Sequence, residues 1–185
     1  MSKMSPSDLL VEPEWLKMRL SQDHIRVLDC TTHMIAQPVG SSKIVSGLPD
    51  FLAGHIPGAS HVDMANDLSD PEGPYPFTML DSKQFVALMQ RLGIKPSDHV
   101  VLYGRSAMST ITRAWAVLHV NGHDKVSILN GGWSAWVNAA GLVSTENPDI
   151  KPSVYEVRQP RFEHIVGLQE VRAAAKQAPQ SLVNA

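Results

Sequence analysis

Residues 99–120 read HVVLYGRSAMSTITRAWAVLHV, and this stretch decides the fold class. It opens with β-branched and aromatic residues in an unbroken apolar run, which is typical of a strand buried on both faces. A short polar loop follows, and residues 109–120 then predict a helix. A strand leading directly into a helix is the building unit of an α/β fold.

The same strand pattern recurs on both sides of this unit. IRVLD at Ile25–Asp29 and VSIL at Val126–Leu129 are short runs of the same kind. Between them, residues 81–92 carry apolar side chains at helical spacing, with an aspartate in front and Gly93 behind as start and stop signals. Strands that alternate with helices predict a central, mainly parallel sheet of about five strands with helices on both faces.

Composition excludes several classes of function. The 185 residues are 43% hydrophobic and carry a formal net charge of −2, so the chain can bury a core but offers no field for nucleic acid or an anionic membrane. No run approaches the roughly 18 apolar residues of a membrane span. Cys30 is the single cysteine, and the histidines lack metal-ligand spacing, so we expect no disulfide, no metal and no cofactor. The N-terminal residues lack the apolar region of a secretory signal, and a cytoplasmic location is predicted.

A second motif is FLAGHIPGASHV at residues 51–62, in which His55 precedes the turn residues Pro57 and Gly58. Together with RLGI at 91–94, the Arg-x-Trp of the helix, and LNGGW at 129–133, it resembles the signature of rhodanese domains, a sulfurtransferase family. The resemblance covers about residues 15–141. It implies a three-layer α/β sandwich around a mainly parallel sheet.

The resemblance also implies where the chemistry should lie. In active rhodaneses the strand equivalent to HVVLY ends in a cysteine whose loop amides stabilise a thiolate, which carries sulfur as a persulfide. Here the corresponding loop is degenerate. It consists of Gly104, Arg105, Ser106, Ala107, Met108 and Ser109. Because Gly104 stands at the cysteine position, no catalytic residue is predicted and the chain is expected to be inactive alone, although its family is enzymatic.

The remaining polar candidates receive mostly structural interpretations. We expect His55 to fix its turn through backbone hydrogen bonds, and Asp29 and Asp63, at strand ends, to cap turns. Arg105 or Arg113 could bind an anion, but surface solvation of Arg105 and an intramolecular pair for Arg113 are the favoured alternatives. Cys30 is expected to be a packed thiol. The hypothesis that the chain is an active enzyme that uses Cys30 is less favoured.

The last part of the chain predicts a change of organisation. Residues 1–143 form the predicted rhodanese-like domain, and the proline-containing residues 144–166 are interpreted as a linker. From about Pro148 the chain is expected to pack poorly. Residues 167–185 resemble the start of a second rhodanese domain, cut before its site, with Leu168 and Val171 on a helix face that needs a partner.

This organisation resembles tandem thiosulfate and 3-mercaptopyruvate sulfurtransferases, whose N-terminal domain is non-catalytic. The implied partner is a C-terminal catalytic rhodanese domain, in the same or a separate chain, that moves sulfane sulfur through its own cysteine. The alternative is a stand-alone inactive module that binds a small anion or a protein partner. The sequence leaves both possibilities open.

Overall fold

The computed structural model describes residues 9–156 and 159–177. Within them, a central sheet of five strands has the order β1-β7-β6-β2-β5, and every neighbouring pair is parallel. The strands of this sheet are β1 (Leu10–Val11), β2 (Ile25–Asp29), β5 (Ser60–His61), β6 (His99–Tyr103) and β7 (Val126–Leu129). The predicted α/β class and the three strands expected from apolar runs are confirmed.

Helices cover both faces of this sheet, as the sequence predicts. They are α1 (Pro13–Lys17), α2 (Leu48–Ala53), α3 (Ser82–Arg91), α4 (Met108–Val120) and α5 (Gly132–Asn138), and a further helix, α6 (Leu168–Gln177), lies outside both core clusters. One core cluster joins Leu102 of β6 to residues of α3 and α4, and the other joins Val101 and Tyr103 to residues of α1, α2 and α5. Successive residues of β6 therefore point to opposite layers, which is why the strand is apolar throughout.

The helix predicted over residues 81–92 is confirmed as α3, and its start has a clear cause. The Asp81 carboxylate accepts a 2.7 Å hydrogen bond from the backbone N–H of Gln84, while the Gln84 side chain accepts from the Asp81 N–H. This reciprocal capping satisfies two backbone donors that the first helical turn leaves free.

A two-stranded antiparallel hairpin lies outside the central sheet. Its strands are β3 (Thr32–Ile35) and β4 (Lys43–Ser46), with Thr32 opposite Ser46. The sequence analysis did not predict it. The hairpin follows β2 directly and therefore rises from the carboxyl edge of the sheet, beside the loop that follows β6.

The chain beyond Pro148 packs better than expected. Tyr155 is only 4% exposed, and its hydroxyl forms a 2.8 Å hydrogen bond with Nδ1 of His123. Its ring meets Phe85 of α3 edge to face at 5.6 Å, and the Ser153 N–H donates to the Gln90 carbonyl. The expectation of poor packing is therefore wrong for Ser153 and Tyr155, whereas Val154, Ile165 and Val166 are 77%, 48% and 58% exposed, as expected. The assignment of residues 144–166 as a linker between two domains stays a prediction.

The final helix α6 is different, because Leu168 is 59% exposed and Val171 37% exposed. The unpartnered apolar face expected there is present. Among residues 9–156 and 159–177, none of the helices combines the length and apolarity needed to cross a bilayer.

Candidate functional site

The degenerate loop connects β6 to α4 at the carboxyl edge of the sheet. Gly104 is buried, and a side chain there would begin 3.2 Å from the Ile111 side chain. The Gly104 carbonyl accepts a hydrogen bond from the Trp133 N–H, at 3.1 Å. That approach requires glycine at position 132, where φ is +56° and a Cβ would lie 2.6 Å from the Gly104 oxygen. The position of the family's cysteine is thus filled by backbone and an apolar neighbour.

Hydrogen bonds tie this loop to the connection between β2 and β3. The Arg105 N–H donates to the Thr31 hydroxyl at 3.2 Å, and that hydroxyl donates to the Asp29 carboxylate at 2.5 Å. Next to it, the Ser106 hydroxyl donates to the Thr32 carbonyl at 2.6 Å and accepts from the Thr32 N–H. The Arg105 amide, one of the loop amides that would face an anion, is therefore already hydrogen-bonded to a side chain of the protein.

The Arg105 side chain makes contacts within the protein and is not directed at an open anion-binding site. Its guanidinium lies 3.8 Å from the Trp133 ring centre and donates to the backbone carbonyls of Asp50 and Gly54 at the two ends of α2. The surface solvation favoured by sequence is therefore wrong for Arg105. Its donors link the loop to α2 and α5.

Arg113 is also engaged within the chain, but through neutral acceptors and not through the ion pair that was expected. It donates to the Phe77 carbonyl at 2.6 Å, to the Leu68 carbonyl at 3.1 Å and to the Ser69 hydroxyl. Burial lowers the pKa of this guanidinium from its ordinary value. The acceptors are neutral and no carboxylate is among them. Anion binding by either arginine stays a prediction, and these contacts do not favour it.

A buried carboxylate lies under the loop. Asp29 is fully buried at the end of β2, directly beside Tyr103 in the register of the sheet, and accepts two hydrogen bonds from Thr31. Burial and then the Asp29 charge raise the pKa of the Tyr103 hydroxyl far above its ordinary value. The expected turn-capping role of Asp29 is confirmed. Its negative charge also opposes an anion at the loop.

The prediction that Asp63 caps a turn agrees with its hydrogen bonds. Asp63 accepts hydrogen bonds from the N–H groups of Ala65 and Asn66, at 2.9 and 3.0 Å. Burial raises the pKa of Asp63, but hydrogen bonds from Ser46 and these amides outweigh it, so the net pKa is lowered. Asp63 therefore caps a turn as a carboxylate.

His55 fixes its turn from a fully buried position. Its ring nitrogens lie 2.8 Å from the Phe51 carbonyl and 3.0 Å from the Glu146 carbonyl, and its ring stacks on Phe51 at 3.9 Å. The turn that follows contains Pro57, and Gly58 adopts φ +74°. The expected structural role of His55 is confirmed, and one of its anchors lies in the segment interpreted as a linker.

The family assignment rests on this strand, loop and turn together with a direct match. Residues 12–139 match the family described as the rhodanese-like domain. The chain belongs to the rhodanese-like family. The match covers both the His55 turn and the loop after β6, and the alignment of Gly104 with the family's cysteine position stays a prediction.

The rhodanese-like chain is similar to several sulfur-handling proteins. It is 29% identical to the sulfur carrier protein TtuD of Thermus thermophilus, over 90% of this chain and 56% of that protein. It is 32% identical to the 3-mercaptopyruvate sulfurtransferase of Escherichia coli, over 68% of this chain and 43% of that protein. The chain thus spans about half the length of these relatives.

A solved structure gives the same result for the fold. The crystal structure of a 3-mercaptopyruvate sulfotransferase from Escherichia coli superposes with a TM-score of 0.77 at 27% identity. The superposition covers 91% of this chain and 62% of the other. The mainly parallel sandwich described above is therefore the rhodanese fold.

Cys30 does not replace the missing nucleophile of this rhodanese-like domain. It is 2% exposed, and its Sγ contacts the Leu28 carbonyl at 3.8 Å. Burial, and then the charge of Asp29, raise the pKa of the Cys30 thiol well above its ordinary value. A thiolate is therefore disfavoured, and the interpretation as a packed thiol is confirmed.

Sequence reasoning missed two contributors to this edge. Thr31 was not singled out, although a threonine two residues after a strand-end aspartate is a common hydrogen-bonding pattern. His33 was also missed. Its Nε2 lies 2.6 Å from the Asp50 carboxylate, and the two side chains form an exposed pair beside the loop. The spacing of these residues in the sequence does not predict the pair. Within the described residues, no group of three or more potential metal ligands is present.

Proposed function

We propose that this chain is the non-catalytic N-terminal half of a tandem sulfurtransferase of the thiosulfate/3-mercaptopyruvate type. Its partner would be a catalytic rhodanese domain that carries sulfane sulfur on a cysteine persulfide. One observation carries the proposal: buried Gly104 directly follows β6, and its Cβ would lie 3.2 Å from the Ile111 side chain. The match to about half of each relative's length supports it.

The surface around the loop suits this role. Met34 is 55% exposed and Met108 is 51% exposed, and each lies two residues beyond the contact between Thr32 and Ser106. Apolar side chains that stand at the rim of a polar, internally hydrogen-bonded loop favour contact with another protein surface over a small anion. This edge would form one wall of the shared cleft.

The first test is enzymatic. The chain alone should show no thiosulfate:cyanide and no 3-mercaptopyruvate sulfurtransferase activity above background, because no accessible thiolate is present. Cys30→Ser should behave identically. Turnover that survives this substitution would refute our account of the chemistry, and turnover that disappears with it would establish Cys30 as a nucleophile.

The second test separates the two proposed roles. A reading frame that continues beyond Ala185 into a second rhodanese motif with a cysteine loop supports the tandem enzyme. A stop codon there supports the stand-alone module. In that case Met34 and Met108 would be the first residues to replace by Ser in a search for a protein partner.

A further inference from the structure

Three aromatic rings join the end of α4 to the segment that leads into α6. Trp115 and His119 of α4 stack at 4.7 Å with an interplanar angle of 13°. His164, from a 3₁₀ turn over Phe162–His164, also stacks on His119, with 6.1 Å between the ring centres. The stack is the last side-chain contact of this kind before the exposed helix α6 begins at Leu168.

Arg161 fixes the same segment by three hydrogen bonds. Its N–H donates to the Val120 carbonyl at 2.6 Å, and its guanidinium donates to the His119 carbonyl at 2.8 Å and to the Asp124 carboxylate at 2.6 Å. Backbone, side chain and ring stacking thus hold residues 161–164 on the end of α4.

We propose that residues 161–164 form an acid-sensitive clasp, which holds the segment that leads into α6 on the end of α4 at neutral pH and releases it when His119 becomes protonated. The inference does not depend on the sulfurtransferase role. It concerns the direction in which α6 leaves the domain, and therefore how its exposed apolar face is presented.

The charges around His119 favour the neutral ring. Arg161 and His164 face it from the clasp, and Asp124 faces it from the turn after α4. Burial lowers the pKa of His119 and Arg161 lowers it further, while Asp124 raises it and His164 again lowers it. Three bases and one acid therefore share the cluster, so protonation of His119 adds a positive charge beside the Arg161 guanidinium.

The hydrogen bonding of His119 leads to the same conclusion. Its Nδ1 is shielded from solvent and has no hydrogen-bond partner among the described residues. The neutral ring tolerates this, because one nitrogen can remain without a proton. Protonation would place an N–H donor there without an acceptor, which opening of the clasp relieves.

The sign of the pH dependence follows. Because the closed clasp lowers the pKa of His119, its stabilisation is complete above the ordinary value of about 6.5 and is lost as the pH falls below it. For one histidine excluded in its charged form, the opening constant should rise about tenfold between pH 7.5 and 5.5.

Amide hydrogen exchange measures this opening directly. The reporters are the N–H groups of Arg161 and Ile165, which donate to Val120 and Phe162, and the Leu92 N–H is the internal control. After correction for intrinsic exchange rates, the reporters should lose about tenfold of protection between pH 7.5 and 5.5, with Leu92 unchanged.

Phenylalanine variants keep a flat ring but cannot accept a proton. His119→Phe removes the protonation site, and His164→Phe, at an exposed position where it should not disturb the core, replaces the neighbouring imidazole with a ring that cannot be charged. In the double variant the reporters should change less than twofold over the same pH range. His24→Phe, at an exposed histidine outside the cluster, should keep the full response.

Two results would overturn the clasp: a native chain whose reporters change less than twofold, or a double variant that keeps the tenfold change. If His119→Phe does not fold, His119→Gln takes its place, because a glutamine side chain also accepts no proton, and a tenfold change that persists in this variant would overturn the clasp.

Discussion

The loop at residues 104–107 was expected to lack catalytic residues and the segment from about Pro148 was expected to pack poorly, and the structure holds the two in different ways. The loop is fixed by many short-range polar contacts with the β2–β3 connection, α2 and α5. The segment is fixed at widely spaced anchors, chiefly the buried ring of Tyr155 and the hydrogen bonds of Arg161.

The comparison shows that a loop can lack a nucleophilic side chain and still be well ordered. In the loop, the positions that would serve an anion now serve the fold: the Arg105 amide bonds Thr31, and the Arg105 guanidinium bonds carbonyls of α2. In the segment, a single aromatic residue within a proline-containing stretch is enough to bring the backbone onto the domain.

The largest effect should come from the anchor of the segment. Tyr155→Ala removes a buried aromatic ring and its hydrogen bond to His123, and should lower the free energy of unfolding by about 3–5 kcal/mol. Val154→Ala, at a neighbouring residue that is 77% exposed, should stay within about 0.5 kcal/mol of the native chain. Urea denaturation measures both. A loss below about 1 kcal/mol for Tyr155→Ala would mean that the segment is not part of the folded domain.

A smaller effect should follow from loosening the loop. Thr31→Val keeps the shape of the side chain but removes the hydroxyl between Arg105 and Asp29, leaving a backbone donor unpaired, and should cost about 1–3 kcal/mol. Thr112→Val is the matched control, since it also removes a hydroxyl bond but on the exposed face of α4. Equal stabilities of the two variants in urea would show that the loop is not held by Thr31.

The smallest effect concerns the reactivity of an introduced thiol. Sequence alone predicts that Gly104→Cys would lie over loop amides and have a thiol pKa below about 8.5. The neighbours reverse this expectation, because the new Cβ faces Ile111, Thr31 occupies the Arg105 amide, and Asp29 is charged nearby. We therefore expect the pKa to lie at or above that value.

Alkylation rate against pH measures this pKa, in a Cys30→Ser background so that position 104 carries the single thiol. Denatured protein provides the reference rate. A clearly lowered thiol pKa in the folded chain would show that the loop amides can still stabilise an anion at position 104.

The sequence predicted the parts of this molecule that repeat a simple pattern. Continuous apolar runs identified β2, β6 and β7, and the Asp81 cap with Gly93 bounded α3. The edge strands β1 and β5 have two residues each, too few for any periodicity, and their pairing depends on the rest of the sheet.

The candidate site was predicted in its residues but not in its contacts. The alignment of Gly104 and the burial of Cys30 followed from sequence. The partners of Arg105 could not follow, because they are backbone carbonyls of α2, which lies about 50 positions away and has no side-chain signature for this role. Tyr155 was missed for a similar reason, since its partner His123 belongs to a distant turn.

The order of the sheet has a consequence for how the chain is made. Within the described residues β1 pairs with β7 alone. Leu10 and Val11 therefore leave the ribosome well before Ile128 and Leu129, which they need in order to join the sheet. Throughout that interval the apolar edge of β7 does not yet exist, and the N-terminal strand has nothing to pair with. Parallel pairing between residues so far apart is slow to form. The nascent chain should therefore be most in need of chaperones until the last strand of the sheet has been translated.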